Sequence, residues 1–150
     1  VTMLMLGIFG AIGSRLGGYG VDRWGASRVI TASVALHVVA LALLPLFSGM
    51  KFMGLFLIVI IVFAMFLAGP AIQTYFIQQA PHSSNLVLSL NTSIIHFGLA
   101  AGAGAGGALV SSTSTVLYNP WLASIVVSLG LAAAIVSFYV RGKREVQTTS

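Results

Sequence analysis

Long apolar stretches broken by short polar ones set the pattern of this chain. Five can be marked, at residues 1–18, 29–47, 53–79, 84–110 and 120–141. Runs of about 20 apolar residues match the ~30 Å hydrocarbon core of a bilayer, whereas the strands of a membrane barrel read as roughly ten-residue alternating segments. In a solvent without water, only helices and closed barrels satisfy their backbone groups. The pattern therefore predicts an all-α protein, a polytopic membrane bundle of five transmembrane helices joined by short connections.

Polar residues inside these runs refine the picture. The third run is longer than a bilayer needs, so its polar end, "QTYFIQQ" from Gln73, is expected to reach a wet region or line a cavity. Gly69-Pro70 within it invites a bend, because proline removes one helical hydrogen bond, with Gln73, Thr74 and Gln78 beyond. A kink that only improves packing is the alternative. Asn119-Pro120 reads as the start of the fifth helix, with asparagine as the cap, and Tyr118 and Trp121 fall where an interfacial aromatic belt would lie.

Composition agrees: 58% of residues are hydrophobic, 6% are charged, and the mean hydropathy is +1.05. The few charges decide orientation. Of seven basic residues, Arg15, Arg23 and Arg28 flank the first connection, and Arg141, Lys143 and Arg144 follow the last span. Lys51 stands apart in the second connection. The positive-inside bias predicts a cytoplasmic C-terminus and an external N-terminus in the cell membrane. Residues 142–150 read as a short polar tail without structure. The chain opens within an apolar run on Val1, with no charged leader, which reads as a piece of a longer protein. Cysteine is absent, and no catalytic triad or metal-ligand spacing appears, so neither an enzyme nor a cofactor or metal site is expected.

The first connection carries more than charge. "GYGVDRWGASR" has the spacing G-x-x-x-D-R-x-G-x-x-R on Gly18, Asp22, Arg23, Gly25 and Arg28. This resembles the signature loop of the major facilitator superfamily of secondary transporters. A second stretch, from Gln73 to Val110, contains "AP", "SLN" and a glycine-alanine ridge, and is similar to helices ten and eleven of the drug and metabolite efflux branch. The resemblance implies helices eight to twelve of a twelve-helix fold. Ala26 and Ser27 stand where the stronger copy of the loop often carries a basic residue, which fits the weaker second copy.

The resemblance further implies a latch, in which the loop holds the cytoplasmic side closed against a helix of the other half. The chemistry suits this, since a carboxylate at Asp22 can accept from a helix N-terminus and Arg23 can pair with a carboxylate or lipid phosphate. The plainer reading is a tight glycine turn anchored by positive charge.

In the fourth run, Asn85, Ser89, Thr92 and His96 fall within about 60° of one another on a helical wheel, a stripe that could line a substrate pathway. Serine and threonine bonding back to their own helix would explain it equally. Gly98, Gly102 and Gly106 form a small-residue ridge that suits close helix packing better than substrate contact, while Asn91, just before them, joins Gln73, Thr74 and Gln78 among the substrate-pathway candidates. His37, alone in the second run, reads as a packing residue.

Both acidic residues, Asp22 and Glu145, lie outside the apolar cores. A proton relay would therefore use His96 or the absent half. The expected function is secondary transport, efflux of a small molecule or drug by alternating access, with the lipid bilayer, an N-terminal half, a small-molecule substrate and protons as partners and no nucleic acid. The alternative is a noncatalytic membrane interaction or assembly subunit.

Overall fold

A single residue separates the first two helices. In the computed structural model, which describes residues 2–148 and their side chains over 3–140, α1 spans Thr2–Trp24 and α2 spans Ala26–Leu43. Between them Gly25 has φ 85° and ψ 153°, a region open essentially to glycine alone. The basic segment is thus not an extended loop. Gly18, Asp22 and Arg23 belong to the last two turns of α1, which runs six residues beyond the apolar stretch.

Three further long helices follow: α3 (Lys51–Gln79), α4 (Ser84–Thr113) and α5 (Asn119–Thr148), with a 3-10 turn over Pro81–Ser83 before α4. All five are long and apolar enough to cross a membrane. Among the described residues, all regular structure is helical. α2 stops at Leu43, not near residue 47: Leu44 keeps helical angles and donates to the carbonyl of Ala40, but Pro45 has no N–H to continue the ladder. α3 continues through Pro70 as one helix, leaving the carbonyl of Phe66 without its usual donor. The tail expected to be unstructured instead extends α5 to Thr148, since Lys143, Arg144 and Glu145 are good helix formers; residues 149–150 lie outside the described residues. Asn119 does not cap α5. It is the first helical residue, and its buried carbonyl oxygen has no partner, while its amide nitrogen turns toward Gly106 of α4.

The core belongs to α1, α2 and α3, with α5 laid against α2. Val21, Ala26, Val29, Ile30 and Ala71 form its centre beside the Gly25 hairpin, and Phe138 of α5 reaches in to meet Tyr75 edge-on at 5.1 Å. Ser33 is fully buried and donates to the carbonyl of Ile30, and Ser124 bridges α5 to the carbonyl of Val38 in α2 at 3.4 Å. α4 touches α3 and α5 only lightly and has no buried residue.

Candidate transport site

The hairpin motif comes first. Gly25 N–H donates to the carbonyl of Val21 at 2.9 Å, closing α1, and its positive φ turns the chain directly into α2. Asp22, Arg23 and Arg28 are all exposed at this end. Arg23 donates from Nη1 to the hydroxyl of Tyr19, one turn back, at 3.0 Å. The Asp22 carboxylate makes no hydrogen bond or ion pair with any described residue. Arg28 and Trp24 border a cleft of about 250 Å3 floored by Leu16, Gly20, Val29 and Leu67. The acid and the two cations are therefore displayed, not consumed, by the chain's own fold.

The polar positions of α3 and α4 are also displayed. Gln73 and Gln78 are exposed and Thr74 is half-buried. On α4, Ser89, Thr92 and His96 are exposed and Asn91 is half-buried. The hydroxyl of Ser89 donates to the carbonyl of Asn85 at 2.9 Å, and that of Thr92 to Leu88 at 3.0 Å. Such back-bonding satisfies the donor protons while leaving the oxygens able to accept. The two sets do not converge on one enclosed pocket within this chain, because α4 stands away from the other helices along most of its length.

The α4 ridge has the same character. A methyl group at Gly98 or Gly102 would meet nothing, and at Gly106 only the side-chain amide of Asn119, at 3.4 Å. The close helix contact lies elsewhere, on Gly10, Gly13, Gly17 and Gly20 of α1. Gly13 and Gly17 face the backbone carbonyls of Phe63 and Leu67 in α3, Gly10 faces the ring of Phe66, and Gly20 meets Val29. Their spacing of three, four and three residues marks one helix face, a signal present in the sequence but overshadowed by the denser glycines of α4.

Sequence reasoning also missed a cavity of about 400 Å3 between the first halves of α1 and α3. Phe9, Phe52, Phe56 and Phe63 wall it, with Met5 and Ile12 completing an almost wholly apolar lining. These residues are scattered among other hydrophobics, and no periodicity distinguishes them from positions that face lipid. Among the described residues no group of three or more histidine, cysteine or acidic side chains could hold a metal ion.

Five membrane-length helices, a glycine-hinged basic hairpin and exposed polar positions on α3 and α4 describe a polytopic membrane protein. Over 144 residues, 95% of its length, the chain is 32% identical to the uncharacterized MFS-type transporter YbcL of Bacillus subtilis strain 168, covering 36% of that protein. It is 27% identical over 135 residues, 90% of its length, to the inner membrane transport protein YdhP of Escherichia coli K12, covering 34% of that protein. The chain thus spans about a third of the length of the curated relatives it matches. No family model and no solved structure matches it. The chain belongs to the major facilitator superfamily.

Proposed function

We propose that this chain forms helices eight to twelve of a secondary transporter that exports a small apolar or aromatic molecule from the cell by alternating access. The observation that carries this reading is α4: a membrane-length helix with a polar stripe, no buried residue and kinship to transporters along the same stretch. Polar groups at bilayer depth are costly without a partner or water. The reading therefore has Ser89, Thr92 and His96 face a water-filled path shared with an N-terminal half, and the ridge of Gly98, Gly102 and Gly106 serve as the seam for one of its helices. The phenylalanine-walled cavity supports a cargo with an aromatic face, since aromatic rings favour offset or edge-on contacts. In this reading the hairpin end is cytoplasmic, so the C-terminus is inside and Asp22 latches onto the partner half. Asp22 sits in the last turn of α1 and Glu145 beyond the span of α5, so neither acid is at mid-bilayer depth, and a proton antiporter of this design would use His96 or a group of the N-terminal half.

Extending the reading frame upstream of Val1 tests the partner: seven more apolar helices, with a second G-x-x-x-D-R-x-G segment, are expected. Efflux is then measured in pump-deficient cells loaded with a fluorescent aromatic cation. Wild type should lower dye retention and Phe56→Ala should raise it again at equal expression. Retention identical to that of cells lacking the protein, across aromatic and polar test compounds, would favour the interaction-subunit reading instead.

A further inference from the structure

At the end of the bundle opposite Gly25, the turn after α2, the first turns of α3 and the α4–α5 connection border an open cleft of about 410 Å3. Leu44, Pro45, Leu55, Ile58, Val116 and Leu117 give it a hydrocarbon wall. Lys51 also borders it and is exposed, with Ser48 nearby in the turn. The size falls within the roughly 300–1,000 Å3 of small-molecule sites.

The lysine is out of place by charge alone. The connections at this end, residues 44–50 and 114–118, carry no charge, and the other six basic residues lie toward the opposite end or on the distal part of α5. The chain's two acids, Asp22 near the end of α1 and Glu145 near the end of α5, are placed there too by the up-and-down connectivity. Among the described residues Lys51 therefore has no carboxylate to pair with. Neither the core nor the hairpin uses it. A long aliphatic stem carrying an ammonium, set at the mouth of an apolar cleft at a bilayer surface, matches an anion attached to a hydrocarbon chain.

We propose that this cavity holds one anionic glycerophospholipid, its phosphate on the Lys51 ammonium and part of an acyl chain against Leu55, Ile58 and Val116. The first turn of α3, whose cap Met50 makes no side-chain bond, adds backbone N–H donors beside the same headgroup. The ligand follows from charge complementarity, and the apolar wall requires a hydrocarbon tail that free phosphate lacks. This site shares only Leu55 with the phenylalanine-walled cavity.

Tryptophan fluorescence reads the site directly. Trp121 follows Pro120, which lines the cavity, and Trp24, at the other end, is replaced by phenylalanine to leave one reporter. The purified chain in neutral detergent is titrated with phosphatidylglycerol or phosphatidylcholine carrying dibrominated acyl chains. One lysine near an anionic headgroup is worth roughly a fivefold preference. Phosphatidylglycerol should therefore quench Trp121 at about one fifth of the mole fraction that phosphatidylcholine requires. Lys51→Gln should bring the two lipids together and Lys51→Arg should keep them apart. Gly54 also borders the cavity, and a side chain there starts in open space, so Gly54→Phe should fill the cleft and weaken quenching by both lipids. Equal quenching in the Trp24→Phe parent, an undiminished preference in Lys51→Gln, or unchanged quenching in Gly54→Phe would each overturn the proposal.

Discussion

Gly17 of α1 lies so close to the backbone carbonyl of Leu67 in α3 that a methyl group on its α-carbon would overlap the oxygen. One turn earlier the relationship repeats: a methyl at Gly13 would stand 2.7 Å from the carbonyl oxygen of Phe63. In lipid, where apolar side chains gain little by leaving the solvent, such backbone proximity is what joins helices, through dispersion and weak Cα–H···O contacts. The obstructing atoms are backbone and cannot rotate away. Gly13→Ala and Gly17→Ala should therefore each destabilise the bundle by about 1–3 kcal/mol. Thermal unfolding in detergent should show both melting well below wild type, with Gly18→Ala, which has open space, melting with it.

The α4 ridge should behave oppositely in the isolated chain. Gly102→Leu meets no described neighbour, so stability should stay within about 0.5 kcal/mol of wild type, as for a surface change. If the ridge is the seam for an N-terminal half, the same substitution should lower the yield of the folded longer protein. Equal yields there would remove the seam.

Replacing Gly25 should cost stability for a different reason. Its φ of 85° with ψ of 153° is nearly closed to side chains, although nothing crowds the position. Gly25→Ala should lose about 1–3 kcal/mol through backbone strain alone. A melting temperature equal to wild type would mean that the hairpin relaxes without loss.

Orientation can be read with single cysteines. Lys51 opens α3 and Ser114 lies in the α4–α5 connection at one end, and Ser83 is in the turn at the other. With the hairpin cytoplasmic, cysteines at 51 and 114 should react with an impermeant thiol reagent in intact cells and one at 83 should not. The reverse pattern would invert the protein.

The exposed Asp22 gives the latch a clean test. In this chain its carboxylate has no described partner, so Asp22→Asn should leave the isolated chain's stability unchanged. If Asp22 latches onto an N-terminal half, loss of a charge-assisted bond worth about 1.5–3 kcal/mol should shift the inward-open population of the longer protein by tenfold or more. Reactivity of a cysteine at 83 would report the shift. An equal change in the isolated chain would mean that the aspartate only shapes its own turn.

Residue pattern alone determined the solvent, the number of helices and the kinship. Twenty-residue apolar runs admit no other regular structure in lipid, and the G-x-x-x-D-R-x-G-x-x-R spacing is local enough to read directly. Helix ends were less legible. Pro45 stops α2 early through its missing N–H, and Gly25 compresses an apparent loop to one residue through its positive φ, neither of which hydropathy registers. Only the tertiary structure decided which glycines are contacts. Gly13 and Gly17 of α1 and Gly98 and Gly102 of α4 carry the same small-residue spacing, yet one pair meets a neighbouring backbone and the other meets nothing in this chain. A small-residue face states that a helix can approach closely, but the identity of the neighbour is set by how α1, α2 and α3 share a core, and that is a property of the assembled bundle.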